Sequence, residues 1–123
     1  MADIYGSPED KRISITRTST DGIRVLTVRG ELDHHTAPDL RRALTVTADD
    51  DPPTARSVLD LSAVTFMDSS GINVLVTAHQ EAHRADGWLR LAAPSDSVMR
   101  VIELVGLDTV ITCYPTLRQA LRP

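Results

Sequence analysis

Apolar and polar residues along the chain follow two different periods, and the period changes at regular intervals. Alternation with a period of two predicts a β-strand, whereas apolar residues at every third or fourth position predict a helix. Residues 13–18 and 23–29 alternate and are separated by the turn residues 19–22, so they predict a β-hairpin. Beyond the hairpin, strands are predicted at 58–61, 88–92 and 110–114, and helices at 36–48, 68–84, 95–105 and 116–121.

The predicted order of elements is β-β-α-β-α-β-α-β-α. Strands that alternate with helices favour a mostly parallel sheet joined by right-handed crossovers, and the initial hairpin makes the sheet mixed. The sequence thus predicts a single α/β domain with about five strands and about four helices. Residues 1–12 show no periodicity and are expected to form a flexible lead-in, which leaves residues 13–123 as the domain.

A polar run, Asp68, Ser69 and Ser70 followed by Gly71, precedes the second helix, and a short polar connection separates it from the apolar strand 58–61. Side-chain oxygens of these types accept hydrogen bonds from the N–H groups of a first helical turn, where positive backbone charge accumulates. The run therefore suits either a plain helix cap, with a glycine that eases a tight turn, or a site prepared for negative charge.

A second polar loop, residues 30–36, follows the hairpin and precedes a helix that Thr36 is expected to cap. Functional loops in parallel sheets lie beyond the carboxyl ends of the strands, so this loop and the loop 65–70 are expected to share one edge. Asp33 would then lie near Asp68 and the two serines that follow it.

Composition narrows the classes of function. The chain of 123 residues has a formal net charge of -4, a single lysine and no basic block, which disfavours direct binding to nucleic acid or to a membrane. Its four aromatic residues are too few for a base-stacking platform. Cys113 is the only cysteine, so no intrachain disulfide is possible, and the thiol is expected to be a buried apolar residue. Without a secretory signal or a long apolar run, a cytoplasmic location is expected.

Known catalytic and metal-binding patterns do not fit the chain. An aspartic protease needs Asp-Ser/Thr-Gly, but an extra serine separates Asp68 from Gly71, and a serine hydrolase needs glycine where Met67 stands. His79 and His83 are four positions apart on a helix, but the glutamate between them is misplaced for a zinc-protease motif. Glycine motifs that bind nucleotide phosphates do not occur. No enzyme activity, metal or cofactor is therefore expected.

Two blocks of sequence together resemble a known family. The first block is Gly30-Glu31-Leu32-Asp33-His34-His35-Thr36-Ala37, and the second is Val58-Leu59-Asp60-Leu61 followed by Phe66-Met67-Asp68-Ser69-Ser70-Gly71. At this spacing the blocks closely resemble the bacterial anti-sigma factor antagonists, which are members of the STAS domain family. The resemblance extends from about Ile13 to Leu121 and includes the order of strands and helices.

The resemblance implies a switch protein rather than an enzyme. In the family, the serine directly after the aspartate, which is Ser69 here, is phosphorylated by a partner that is both an anti-sigma factor and a serine kinase. The unphosphorylated antagonist binds that partner and releases a sigma factor, whereas phosphorylation ends the binding until a serine phosphatase restores it. Ser70 is the alternative phosphate acceptor, and the expected partner-binding residues are Asp33, His34, Thr36, Phe66, Met67, Asp68, Ser70 and Gly71.

Two other functions stay open on the sequence. The same domain can serve as a subunit of a stress-sensing or transporter-associated assembly without direct control of a sigma factor. A small enzyme that uses Asp33, Asp68 and a histidine is the third hypothesis, and it would have to turn over a substrate without partners. None of the three hypotheses fixes the oligomeric state.

Overall fold

A six-stranded mixed sheet forms the centre of the computed structural model, which describes residues 3–5, 12–45 and 56–122. The strands lie side by side in chain order: β1 (Asp3–Tyr5), β2 (Ile13–Thr20), β3 (Ile23–Leu32), β4 (Arg56–Met67), β5 (Trp88–Ala92) and β6 (Cys113–Tyr114). Neighbours are antiparallel from β1 to β3 and parallel from β3 to β6. The carboxyl ends of the parallel strands therefore lie at the same edge of the sheet.

The helices are α1 (Ala37–Leu44), α2 (Ser69–Arg84), α3 (Asp96–Leu104) and α4 (Leu117–Ala120), with a 3-10 turn at Leu107–Thr109. The first three each connect two parallel strands, and right-handed crossovers that advance in one direction place them on one face of the sheet. Their apolar residues share a single core with Leu26 of β3 and Leu59 of β4. Helix α4 covers the other face, where Ala120 clusters with Val58 and Ala92. No helix among the described residues is long and apolar enough to cross a membrane.

The predicted fold class is confirmed, and the predicted order of elements recurs with an additional strand and the 3-10 turn. The additional strand is β1, which lies within the segment 1–12 that was expected to be a flexible lead-in. Its backbone pairs antiparallel with β2, and Asp3 lies opposite Arg17. The domain boundary at residue 13 stays a prediction.

Strand β4 is longer than the sequence predicts. The segment after residue 61 was expected to be a polar connection, but the strand continues to Met67. The reason is non-local, because Gly30 of β3 pairs with Val64 and Leu32 pairs with Met67. Val64, Thr65 and Phe66 are residue types that favour strands, and pairing with β3 keeps this segment in the sheet.

Two other boundaries differ from the prediction. Helix α1, expected to continue to residue 48, ends at Leu44, and residues 46–55 lie outside the described residues. The strand expected at 110–114 is reduced to its last two residues. The N–H groups of Val110 and Ile111 both donate to the Leu107 carbonyl, so this part of the chain forms a turn instead.

Gly30 allows β3 to bend where it approaches the edge of the sheet. Its φ is +112°, and an added Cβ would lie only 1.8 Å from the Arg12 carbonyl oxygen. The register with β4 shifts between Gly30 and Glu31, and the Glu31 N–H donates a hydrogen bond of 2.7 Å to the same carbonyl. Only glycine permits this approach, so its position after an alternating strand has a steric cause.

Candidate functional site

The loops that follow β3 and β4 meet at the carboxyl edge of the parallel strands, as expected. The Asp68 N–H donates a hydrogen bond of 3.1 Å to the carbonyl of Leu32, which pairs with Met67. The Thr65 hydroxyl donates a second bond of 3.4 Å to the Gly30 carbonyl. These bonds fix the start of α2 against the end of β3.

Helix α2 begins with an aspartate cap and an exposed serine. Asp68 is the N-cap, and its Oδ1 accepts a hydrogen bond of 2.8 Å from the Ser70 N–H. Ser69, the first helical residue, is exposed, and its hydroxyl makes no hydrogen bond within the described part of the chain. The first turn contains no acidic residue. The start of the helix thus carries the carboxylate of its cap and, beside it, a small hydroxyl that is exposed to solvent.

Gly71 brings α2 close to the ends of the two strands beneath it. A Cβ at this position would lie 2.9 Å from Met67 Cγ and 3.1 Å from Leu32 Cβ, closer than side chains ordinarily approach. The glycine therefore lets the first turn lie directly on these two apolar side chains. This support holds the backbone of Ser69 in place without using its hydroxyl.

The loop after β3 is ordered by reciprocal hydrogen bonds between Asp33 and Thr36. Asp33 Oδ1 accepts bonds of 2.9 Å from the His35 N–H and 3.1 Å from the Thr36 N–H. The Thr36 hydroxyl accepts from the Asp33 N–H at 2.9 Å and donates to the Glu31 carbonyl at 2.7 Å. Thr36 is the N-cap of α1, as predicted, but its hydroxyl makes no capping bond because the loop already engages it.

The charge of Asp33 is stabilised by the same loop. Burial raises the pKa of its carboxyl, but the backbone N–H groups of Thr36 and His35, the Arg12 guanidinium and the Thr36 hydroxyl together outweigh burial. The Arg12 guanidinium lies 3.8 Å from Asp33 Oδ2. The pKa of Asp33 is lowered in total, so the edge beside α2 carries a fixed negative charge.

The predicted site residues divide into a surface group and a supporting group. The surface group, whose members are exposed or half-buried, consists of Asp33, His34, Phe66, Asp68, Ser69 and Ser70. The supporting group is buried and consists of Thr36, Met67 and Gly71. The side chains of Met67 and Thr36 are buried in the structure, and their predicted part in partner binding stays a prediction.

Phe66 and Met67 differ because successive side chains of a strand point to opposite faces. Met67 is 3% exposed and lies beneath Gly71, whereas Phe66 is 48% exposed and lies opposite Glu31 of β3. An aromatic ring of this exposure at a functional edge is a candidate contact for another protein.

Sequence reasoning did not single out Arg12 and Leu32 as parts of the site. The pairing of β2 with β3 places Arg12 near Asp33, and the pairing of β3 with β4 brings the Leu32 carbonyl to Asp68. Such pairings leave no local pattern in the sequence. The available signal was Gly30, a glycine directly after an alternating strand, which marks a close backbone approach.

The other candidate side chains do not assemble into a reactive centre. The rings of His79 and His83 lie 5.8 Å apart on α2, and no group of three or more potential metal ligands occurs among the described residues. Cys113 is half-buried rather than fully buried, and burial, followed by the carboxylates of Asp108 and Glu103, raises the pKa of its thiol. A raised pKa disfavours a reactive thiolate.

Comparison with known proteins places this geometry in a family. The model of the STAS domain matches residues 14–120. The anti-sigma-B factor antagonist of Listeria monocytogenes is 35% identical over 99 residues, which cover 80% of this chain and 84% of the Listeria protein. A match of this extent includes both loops of the site.

Solved structures agree with the family match. A crystal structure of an anti-sigma factor antagonist from Mycobacterium paratuberculosis has a TM-score of 0.78 and 34% identity, with 94% of this chain and 95% of that chain covered. The Bacillus cell fate determinant SpoIIAA in its phosphorylated form has a TM-score of 0.66 and 25% identity, with 87% of this chain and 96% of that chain covered. This chain therefore belongs to the STAS domain family and, within it, to the anti-sigma factor antagonists.

Proposed function

We propose that this protein binds an anti-sigma factor that is also a serine kinase, and that phosphorylation of Ser69 ends the binding. Binding of the unphosphorylated form releases a sigma factor, and a serine phosphatase restores that form. The observation that carries the proposal is the exposed Ser69 hydroxyl at the first position of α2, beside the exposed Phe66.

The unmodified edge suits a protein partner. Phe66 offers an aromatic ring, and the fixed loop 33–36 offers carboxylate and backbone groups that need little reordering on binding. A preorganised surface loses less conformational entropy when it binds than a mobile surface does. Two members of the supporting group, Met67 and Gly71, keep the first turn of α2 in place beneath this surface.

Phosphorylation would change the charge of this edge while leaving the fold intact. A phosphate on Ser69 adds about 1.5 to 2 negative charges at neutral pH, at a helix end where backbone N–H groups favour an anion. Asp68 is adjacent in sequence, and the fixed charge of Asp33 lies on the neighbouring loop. Repulsion and bulk beside Phe66 then oppose the partner that the unmodified edge accepts.

Ser69 is a better phosphate acceptor than Ser70. Ser69 is exposed at the first helical position, whereas Ser70 is half-buried and its backbone N–H is already bonded to the Asp68 carboxylate. A kinase has to reach the hydroxyl oxygen from solvent. The exposed position meets that requirement more directly.

The names of two relatives support the proposal. The Listeria protein is an anti-sigma-B factor antagonist, and the Bacillus relative was solved in a phosphorylated form. By analogy, the kinase and phosphatase chemistry belongs to other proteins, and this chain is a binding protein rather than an enzyme. We place its action in the cytoplasm, where sigma factors bind RNA polymerase.

Phosphate transfer is the direct test. The purified protein is incubated with ATP, magnesium and a candidate anti-sigma factor kinase from the same genome, and the modified residue is located by mass spectrometry. We expect one phosphate at Ser69, its loss in Ser69→Ala and its retention in Ser70→Ala. The Ser70→Ala variant is the matched control because it removes the neighbouring hydroxyl and keeps the cap.

Two results would contradict the proposal. One is the absence of any phosphate at Ser69 together with unchanged kinase binding by Ser69→Asp. The other is co-purification with permease or scaffold components and no anti-sigma factor, which would favour a subunit of a stress-sensing or transporter-associated assembly.

A further inference from the structure

Three of the four large apolar side chains that are strongly exposed in the described residues lie within one short segment. They are Leu104 at 80%, Val105 at 57% and Val110 at 54% exposure, and the fourth is Phe66 at the site described above. Single exposed apolar residues are ordinary, but three within seven positions concentrate exposed apolar surface in one short segment, and concentrated apolar surface marks interaction sites. We name residues 104–110 the distal patch.

The distal patch is a fixed surface rather than a frayed end. Helix α3 ends at Leu104, Gly106 reverses the chain with a φ of +75°, and the 3-10 turn follows. The Val110 N–H donates to the Leu107 carbonyl at 3.0 Å. Leu107 and Ile111 are both buried in the main core. Buried anchors at the start of the turn and just after it fix the course of the segment that carries the exposed apolar side chains.

Acidic residues border the distal patch. Glu103 precedes it and Asp108 lies within it, and residues 103–112 contain no lysine or arginine. Both carboxylate residues are exposed. The nearest basic residue along α3 is Arg100, one turn earlier. Apolar side chains are thus combined with local negative charge.

Charge decides between the possible occupants of this surface. A second copy of the chain would bring a second pair of carboxylates against the first, and like charges across an interface are costly. The connection 46–55 of the same chain contains three aspartates and no basic residue, so it is a poor match as well. An apolar segment with flanking lysine or arginine matches both features.

We propose that the distal patch docks a basic amphipathic helix of a partner protein, and that this docking is independent of the state of Ser69. The apolar face of such a helix would cover Leu104, Val105 and Val110, while its basic residues would approach Glu103 and Asp108. The proposal does not depend on the proposed function.

Independence from Ser69 follows from the position of α3. The helix starts beside Val64, whose carbonyl lies 3.5 Å from the Ser95 hydroxyl, at the edge that carries Ser69. It then runs away from that edge for nine residues, or about 13 Å at 1.5 Å per residue. Charge effects between exposed groups are screened over about 8 Å at physiological ionic strength. A phosphate at Ser69 is therefore too distant to repel a ligand at the distal patch.

The test uses two synthetic peptides of known chemistry. One is an amphipathic helical peptide of leucine and lysine, and the other has the same leucines but glutamate in place of each lysine. Binding to the full chain is measured by titration calorimetry at two salt concentrations. We expect the lysine peptide to bind, more weakly at high salt, and the glutamate peptide not to bind.

Variants then locate the binding. Leu104→Gln combined with Val110→Thr should weaken the lysine peptide at least tenfold, because each apolar side chain buried is worth that much. Glu103→Gln combined with Asp108→Asn should weaken it several-fold, whereas Ser69→Asp and the exposed α2 control Asn73→Ser should leave it unchanged. Circular dichroism confirms that each variant is folded.

Three outcomes would overturn the proposal. The lysine peptide fails to bind the wild type, or it binds the Leu104→Gln/Val110→Thr variant equally well, which would indicate a general charge effect. The third is concentration-dependent dimerisation of the wild type in sedimentation that this variant abolishes, which would assign the surface to a second copy.

Discussion

Helices α2 and α3 start at the same edge of the sheet with nearly the same residue types, but in a different order. Helix α2 begins Asp68-Ser69-Ser70-Gly71, and α3 begins Ser95-Asp96-Ser97-Val98. In α2 the aspartate is the cap and the first helical residue is a serine. In α3 the serine is the cap and the first helical residue is an aspartate.

The order decides what each helix end offers to solvent. The Ser95 hydroxyl accepts from the Val98 N–H at 3.4 Å and lies 3.3 Å from the Ser97 hydroxyl, so it is engaged in the cap. Asp96 already supplies a negative charge to the first turn of α3. The first turn of α2 has no such charge, and its first serine is not required for the cap. The first helical position thus carries a carboxylate in α3 and an uncharged serine hydroxyl in α2.

The largest effect is expected from making the two helix starts alike. Ser69→Asp gives α2 the charge that Asp96 gives α3, and we expect affinity for the anti-sigma factor kinase to fall about tenfold to a hundredfold. The same change should keep or slightly raise the free energy of unfolding, because the charge suits the helix dipole. Calorimetric titration measures the affinity, and Ser97→Asp on α3 is the matched control, expected within about twofold of the wild type. Equal losses of affinity in Ser69→Asp and Ser97→Asp would mean that binding responds to any added negative charge at this edge of the sheet.

The third helical position separates the helices by packing. Val98 is buried, so Val98→Ala should lower the free energy of unfolding by about 2 kcal/mol through lost apolar contacts. Gly71→Ala should lower it by about 1 kcal/mol for the opposite reason, because the added methyl contacts Met67 and Leu32. Urea unfolding measures both, with Asn73→Ala on the exposed face of α2 as the control. A more stable Gly71→Ala variant would refute the steric account.

The two caps should be worth similar amounts. Asp68→Ala and Ser95→Ala each remove one side-chain acceptor from a backbone N–H, and each should cost about 1 kcal/mol of unfolding free energy. Asp68→Asn keeps an acceptor and should recover most of the loss. Thermal melts measure the stability of the three variants. An Asp68→Ala variant as stable as the wild type would show that the Asp68 cap does not stabilise the fold.

The smallest effect concerns Asp33, whose charge lies beside α2. Because its folded pKa is lowered from 3.8, its carboxylate stabilises the fold above about pH 4, and this contribution is lost as the pH falls through the folded pKa. Asp33→Asn should therefore be less stable than the wild type at pH 7, by less than about 1 kcal/mol. The free energies of unfolding of Asp33→Asn and the wild type, measured from neutral to acidic pH, should converge as the pH falls. A constant difference across that range would contradict a stabilising charge at Asp33.

Local pattern was sufficient for much of the fold. Alternation predicted the β2–β3 hairpin, and helical periodicity with serine or aspartate caps predicted the starts of α2 and α3. The same reasoning missed the extension of β4 to Met67 and the short β6. The first depends on pairing with β3, and the second on hydrogen bonds to the Leu107 carbonyl.

The candidate site divides in the same way. Residue type and spacing singled out Ser69, Asp68 and Asp33 as candidates, because caps and turn-forming polar residues act locally. The burial of Met67 and Thr36 was not found, because it depends on which elements pack above and below them. The Arg12–Asp33 contact was not found either, because it joins residues that lie next to the ends of two different strands.

The sequence by itself determined most of the elements and the residue chemistry at the start of α2, since both follow from the order of neighbouring residues. The tertiary structure decided which of these groups reach the surface. It turned Phe66 outward and Met67 inward, brought the loop of Asp33 to Ser69, and left Leu104 and its neighbours uncovered. The physical reason is that burial and strand pairing join residues far apart in the chain, and local patterns contain no information about them.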